Sequence, residues 1–204
     1  MKRTDNEIVL LEYEAENLGT PFKVILKNSV RQKLNDKGEV EKTIIPNPKG
    51  LLHQIAITRL IHSRKLSGAD IKFIRKSLRI KAKELAEMIS VTPEHLSRCE
   101  SNDRVLSPGL EKCMRLSIII DTLRLPDEAE DVCKNDSEKR KNFRKFQEAF
   151  SRLQDLIRDM KIDPVHNSDE KLCLYFHTSD HAKNGYDGED EDWQDNLPDV
   201  RKYG

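Results

Sequence analysis

The sequence predicts a mainly α protein, in which a five-helix domain follows a small N-terminal antiparallel β element and precedes a C-terminal helical extension. Apolar residues recur at helical spacing through residues 50–126, with capping signals at the breaks. Short apolar runs separated by turn residues occupy residues 1–49. A further helical pattern, with a possible dimerisation role, lies in residues 127–164, and an acidic, partly disordered tail is expected over residues 165–204.

The N-terminal segment is predicted to hold two or three β-strands. The runs IVLLEYE (residues 8–14) and FKVILKN (residues 22–28) are separated by the turn signal LGTP. VEKTIIP, residues 40–46, is a third strand candidate. Because so small a sheet is too small to stand alone, we expect it to pack on the helical domain or on a second subunit.

The helical domain is predicted to begin with the run GLLHQIAITRLIHS, residues 50–63. A second helix follows Ser67, a good N-cap residue, with Asp70 placed three positions later to accept first-turn donors. The last helix of the domain is expected to start at Pro108 and to stop before Pro126.

Two short helices lie between these, over residues 81–89 and 93–100. The second has Thr92 as its N-cap and Pro93 at its first helical position, where the missing N–H costs nothing. A break of about three residues forces such helices to cross steeply, which is the geometry of a helix-turn-helix. DNA is therefore the leading candidate partner.

The helix over residues 93–100 has the two faces that such a role requires. Leu96 and Cys99 are predicted to face inward, which leaves polar donors and acceptors outside, where they can reach a major groove. The residues expected to contact DNA are Lys81, Ala82, Lys83, Thr92, Glu94, His95, Ser97, Arg98 and Arg104. On periodicity alone the alternative is a structural helix pair with solvated polar residues, since such pairs recur on unrelated folds.

The run LSGADIKFIRKSLRIKAKELAEMISVTPEHLSRCES, residues 66–101 of 204, resembles the Xre (Cro/repressor-type) helix-turn-helix family. Its opening resembles more narrowly the DNA-binding half of MqsA-like and HigA-like antitoxins. EYEAENLGTPFKVILKN, residues 12–28, looks like the short segment that precedes the helices in that subgroup. The metal-binding cysteines of MqsA itself are absent.

Three departures from the family pattern matter. Ala82 stands where the family usually has a glutamine that contacts DNA, which puts one contact in doubt. Cys99 replaces the usual tryptophan and implies a smaller residue at the helix packing site, and Ser90 replaces the usual turn glycine. Because none of these removes the helix-turn-helix pattern, the resemblance implies DNA binding.

The predicted function is therefore that of a sequence-specific DNA-binding transcriptional regulator, a dimeric repressor that blocks a promoter. The alternative is an antitoxin of a type II toxin–antitoxin system, which binds a toxin and represses its own operon. The expected partners are a double-stranded operator and a second copy of the chain, with a toxin in the alternative. No membrane partner, cofactor or catalytic role is expected, and the predicted location is the cytoplasm.

Charge supports this prediction through its distribution. The whole chain is neutral, with 36 basic and 36 acidic residues. Residues 51–126 hold 14 Lys or Arg against 8 Asp or Glu, a net charge of +6, whereas residues 127–204 hold 13 against 20, a net charge of −7. A basic domain favours phosphate contact. A dense basic run comprises Lys72, Arg75, Lys76, Arg79, Lys81 and Lys83, of which Lys81 and Lys83 are the expected phosphate contacts and others are only solubilising.

The C-terminal helical extension carries a strict heptad pattern. Apolar residues at alternating spacings of 3 and 4 form a seam that consists of Phe143, Phe146, Phe150, Leu153, Ile157 and Met160. One interpretation is a helix lying on its own subunit. The other is a dimerisation seam, since regulators of this type bind two half-sites.

The end of the chain is predicted to hold one strand and an acidic tail. KLCLYFHT, residues 171–178, alternates like a strand. Residues 185–200 carry seven carboxylates around the single tryptophan. This stretch is interpreted as a solubilising tail, with two alternatives: it folds over the basic domain, or it docks on a basic partner such as a toxin.

Enzymatic and metal-binding roles are disfavoured. The sequence has no phosphate-binding loop, nucleophile elbow or HExxH motif. His53 and His62 lie nine residues apart and so on opposite sides of a helix. A C-terminal group fits a polar loop better than a metal site; its members are His166, Asp169, His177, Asp180 and His181. Four dispersed cysteines are expected to stay reduced, namely Cys99, Cys113, Cys133 and Cys173.

Overall fold

A computed structural model describes residues 7–123, 137–163, 172–178 and 193–195. The chain divides into two compact units, of which the first comprises residues 1–58 and 167–204 and the second residues 59–166. The two ends of the chain therefore belong to one unit, and the helices that resemble a DNA-binding domain belong to the other.

The first unit contains a five-stranded mixed sheet. Its strands are β1 (Glu7–Glu14), β2 (Lys23–Leu34), β3 (Val40–Ile44), β4 (Cys173–Thr178) and β5 (Trp193–Asp195). The long strand β2 is central: β1 pairs antiparallel along one edge, while β3 and β4 share the other. β3 is antiparallel to β2, β4 is parallel to it, and β5 pairs antiparallel with β4.

The prediction of a mainly α protein with only a small N-terminal β element is therefore wrong. The parallel register pairs Val24 with Leu174 and Leu26 with Phe176, positions 150 apart in the chain. Periodicity reports only local structure, so it cannot show that such distant runs are neighbours. In addition, β2 continues to Leu34, beyond the predicted end at residue 28, and a short strand forms where an acidic tail was expected.

One face of the sheet is buried because side chains alternate along each strand. Val24 and Leu26 on β2, and Leu174 and Phe176 on β4, are all almost fully covered. Trp193 on β5 is also buried, and its indole N–H lies 3.1 Å from the backbone oxygen of Pro46 and 3.2 Å from that of Asn47. This bond satisfies the polar end of a large apolar side chain and attaches β5 to the segment that precedes α1 (Pro48–Ile61).

The helices agree with the sequence pattern to within a few residues. Beyond α1 they are α2 (Gly68–Ser77), α3 (Ala82–Met88), α4 (Pro93–Glu100), α5 (Pro108–Leu123) and α6 (Ser137–Asp159). Ser67 caps α2 as predicted: its hydroxyl accepts the Asp70 N–H at 3.1 Å, and the Asp70 carboxylate accepts the Ser67 N–H at 2.8 Å. The predicted cap of α4 is also confirmed, since the Thr92 hydroxyl accepts an N–H at 3.2 Å.

A buried ionic network, which the sequence did not reveal, holds the second unit together. Arg59 donates to both carboxylate oxygens of Asp70, at 3.3 and 3.0 Å. Arg115 lies 2.7 Å from Glu111, and neither side chain is exposed to solvent. Burial lowers the pKa of Arg115, and its bond to Glu111 opposes that shift. The second oxygen of Glu111 accepts from Lys65 at 3.3 Å.

The same arginines fix the loop between α1 and α2. Arg115 donates to the backbone oxygens of Leu60, His62 and Arg64, at 2.6, 2.7 and 2.9 Å. Arg59 donates to the backbone oxygens of Arg64 and Lys65. Because one charged side chain satisfies several carbonyls, this irregular segment is held without regular secondary structure.

His62 in this loop is expected to make the stability of the fold depend on pH. Burial and the neighbouring Arg59 and Arg115 lower its pKa from 6.5 to about 4. Between these values the unfolded chain binds a proton that the folded chain does not, so stability falls as the pH is lowered through that window. Between pH 7 and pH 4.5 we expect the unfolding free energy of the wild type to fall by about 1–2 kcal/mol more than that of His62→Asn. This difference is smaller than the pKa shift alone would give, because the ring is partly exposed.

Urea unfolding at the two pH values measures this effect. His53→Asn is the matched control, since it replaces another histidine at an exposed position on α1. Equal acid sensitivity in the His62→Asn variant and the wild-type chain would contradict the prediction.

Candidate nucleic-acid interface

The α3–α4 pair has the tight connection that the sequence predicts. Four residues separate Met88 from Pro93, and the Val91 N–H donates to the Ala86 oxygen at 2.9 Å to close the end of α3. Leu96 and Cys99 are buried, as expected for the inner face of α4. The outer face of α4 is thereby left toward solvent.

Ser90, in this turn, adopts a left-handed conformation with φ of 55°. It stands where the resembled family has glycine, and the backbone keeps a conformation that favours glycine. A residue with a Cβ atom loses about 1–2 kcal/mol of stability in this left-handed conformation. Glycine avoids that cost but loses more backbone entropy on folding, so Ser90→Gly should stabilise the protein by about 0.5–1 kcal/mol. Urea unfolding tests this. Ser90→Ala, which keeps the strain, should bring no gain, and a lower midpoint for Ser90→Gly would contradict the prediction.

A bidentate ion pair fixes α4 against α2. Arg75 Nε lies 2.7 Å from one oxygen of Glu100, and its Nη2 lies 3.0 Å from the other. The hydrogen bond to Glu100 raises the pKa of Arg75. Both side chains are largely covered, so Arg75 links the two helices. This role was missed from the sequence, because the basic run was interpreted as solubilising or phosphate-contacting residues.

A second contact between α2 and α4 depends on a glycine. The Gly68 N–H donates to the side-chain oxygen of Asn102 at 2.7 Å. A Cβ atom at Gly68 would overlap the backbone oxygens of Cys99 and Glu100. The start of α2 therefore lies directly against the end of α4, at a distance that only glycine allows.

The outer face of α4 carries four of the nine predicted DNA-contacting residues. Glu94, Ser97 and Arg98 are exposed, and His95 is partly buried. Hydrogen bonds from its own backbone and from Thr92 lower the pKa of Glu94. Glu94 therefore stays anionic at the helix N-terminus, where it can accept a hydrogen bond from a base amino group.

The remaining predicted contacts flank this helix. Lys81, Ala82 and Lys83 are exposed at the start of α3, where the Lys81 N–H donates to Glu84 at 3.0 Å. Arg104 follows α4, and its N–H donates to the Arg98 oxygen at 3.0 Å. All nine predicted DNA-contacting residues thus lie in the second unit, and all except His95 are exposed.

The predicted dimerisation seam, which lies on α6 except for Met160 just beyond its end, is covered unevenly. Ile157 and Met160 are buried, whereas Phe143, Phe146, Phe150 and Leu153 are only partly buried. The rings of Phe146 and Phe150 stack, with centroids 6.0 Å apart. The buried end of the seam agrees with a helix lying on its own unit, and the use of the rest in dimerisation stays a prediction.

The C-terminal histidine and aspartate group lies mostly outside the described residues. Only His177 is described, in β4. The described ranges contain no group of three His, Cys, Asp or Glu residues that could hold a metal ion. Cys133 and most of the acidic stretch also lie outside them.

No family model, curated protein or solved structure matches this chain. The resemblance to the Xre family therefore stays a prediction that rests on residues 66–101. Within the part of the chain that the structure describes, no helix has the length and apolar character needed to cross a membrane.

Proposed function

We propose that the chain is a sequence-specific DNA-binding transcriptional regulator that acts in the cytoplasm as a dimeric repressor. The observation that carries the proposal is the two-sided nature of α4. Leu96 and Cys99 hold its inner face, and the Arg75–Glu100 pair fixes its end. Its outer face exposes Glu94, Ser97 and Arg98, a set of donors and acceptors suited to base edges in a major groove.

Exposed cations on both sides of α4 supply the nonspecific part of binding. Lys81 and Lys83 precede it and Arg104 follows it, so phosphate contacts would fix the register of the helix in the groove. Lys83 lies 3.8 Å from Glu87, but both side chains are highly exposed, and such pairs contribute little. Lys83 is therefore able to exchange this carboxylate for a phosphate. Occupation of an operator that overlaps a promoter would block transcription sterically.

Selection of bound fragments from random double-stranded DNA tests the proposal. The expected result is one enriched motif with two-fold symmetry, whose half-site spacing of about 10 base pairs reports the dimer. Binding that is equally strong on all sequences, or absent at physiological salt, would overturn it.

Arg98→Ala is expected to weaken binding to the selected motif by about 1–3 kcal/mol and to relax specificity at one position, because a bidentate arginine reads a guanine. Fluorescence anisotropy against the motif and its single-base variants measures both effects. Lys83→Ala is the matched control: it should lower the salt dependence of binding while leaving sequence preference unchanged. An equal loss on all sequences for Arg98→Ala would assign Arg98 to a phosphate.

A further inference from the structure

Strand β1 exposes more apolar surface than a free sheet edge normally does. Ile8 is 43% exposed, Val9 57% and Leu11 77%. β1 lies at the end of the strand order, so among the described residues only β2 pairs with it. Its outer edge presents backbone donors and acceptors beside these apolar side chains, a combination that favours the addition of another strand.

The usual devices that protect an edge strand are weak in β1. It contains no lysine, arginine or proline. Two of its three glutamates are paired with the neighbouring strand: Glu12 lies 3.3 Å from Lys27, and Glu14 lies 3.1 Å from Lys23. A register irregularity falls between Leu10 and Glu12, but it leaves Leu11 the most exposed of the strand's large apolar side chains. Glu12 and Glu14 are thus paired with lysines of β2, and the stretch from Ile8 to Leu11 carries no charge.

We propose that β1 is the dimer interface and that its occupant is β1 of a second copy, added antiparallel to form one continuous sheet. With the two-fold axis at Leu10, Val9 of each copy faces Leu11 of the other, and Ile8 faces Glu12. This register opposes no two carboxylates. Because facing residues in a sheet share one face, a two-fold axis can move only by whole residues. At Val9 the axis would place Leu11 opposite Glu7, and at Leu11 it would place Leu10 opposite Glu12, so either shift loses the pairing of Val9 with Leu11.

This interface rests on the proposed function, which needs two copies of the chain on one operator. It lies in the first unit and is distinct from the seam on α6. Its test uses no DNA, so failure of either proposal can be recognised separately. A chain that dimerises through β1 without binding a motif would refute only the function, whereas a chain that dimerises through another surface and selects a two-fold motif would refute only the interface.

The first experiment is light scattering on the full chain. The wild type should have twice the mass of one chain, and Val9→Lys with Leu11→Lys should give the mass of one chain, with circular dichroism showing that the fold is kept. Val105→Lys is the matched control, since Val105 is 72% exposed in the second unit and its substitution should leave the dimer intact.

Comparison with the α6 seam makes the test decisive. Phe150→Lys with Leu153→Lys should leave the dimer intact if β1 is the interface. A wild-type monomer overturns the proposal, as does a dimer that survives the β1 substitutions or is lost on substitution of the seam instead.

Disulfide trapping tests the register directly. In a variant with serine at positions 113, 133 and 173, Leu10→Cys should form a cross-linked dimer on oxidation, because facing Cα atoms across antiparallel strands lie within disulfide range. Ile8→Cys is the control, since it faces Glu12 and should stay uncross-linked. Cross-linking through position 8 but not position 10 would refute this register.

Discussion

Glu111→Ala should cost about 3–5 kcal/mol of unfolding free energy, because it leaves a buried arginine without its counter-ion. The side chains of Glu111 and Arg115 are both fully buried. Glu111 also accepts the backbone N–H of Leu66 at 2.9 Å and bonds Lys65. Its loss therefore leaves the Leu66 N–H without this acceptor, while Lys65 keeps its bond to the Leu106 oxygen. Urea unfolding followed by circular dichroism gives the free energy directly.

Two further variants separate the ionic network from general effects of substitution. Glu87→Ala removes a glutamate that is 67% exposed and should change stability by less than about 0.5 kcal/mol. Glu111→Leu combined with Arg115→Met should recover only part of the loss, because the backbone oxygens that Arg115 satisfies would lose their donor. A loss below about 1 kcal/mol for Glu111→Ala would contradict the role assigned to the network.

Local signals predicted the helices well because caps and apolar spacing act over a few residues. Ser67 and Thr92 cap their helices as expected, and Leu96 and Cys99 are buried as the spacing requires. The strand pairing of the sheet could not be predicted from such local signals. The pairing of Val24 with Leu174 follows from long-range packing, which local periodicity does not encode. The fold class was therefore wrong although most individual elements were right.

The candidate interface was likewise predicted only in part. The exposed residues of α4 follow from its apolar spacing, which leaves them on the outer face. Charged residues with structural roles were missed, since a charged side chain is normally taken as exposed. One local signal was present: Glu111 and Arg115 lie on the same face of α5 as the buried Met114 and Ile118, and charges on an apolar face indicate a buried pair.

Gly68→Ala should destabilise the protein by about 2–3 kcal/mol, although alanine is the better helix former by about 1 kcal/mol. The added methyl group would overlap backbone oxygens at the end of α4, and backbone cannot move aside as a flexible side chain can. The end of α4 would then have to separate from α2. Since the Arg75–Glu100 pair joins the same two helices, the orientation of α4 should change as well.

Gly109→Ala is the matched control for this change. Gly109 also lies in the first turn of a helix, but nothing lies within 4 Å of a Cβ atom there, so alanine should stabilise by about 0.5–1 kcal/mol. The two substitutions should therefore have opposite signs in urea unfolding. If α4 reads DNA, Gly68→Ala should also weaken specific binding under conditions where the chain stays folded, whereas Gly109→Ala should not. If both substitutions left stability equally unchanged, α2 and α4 would not be in the close contact that Gly68 implies. The contact at Gly68 would then no longer support a fixed orientation of α4.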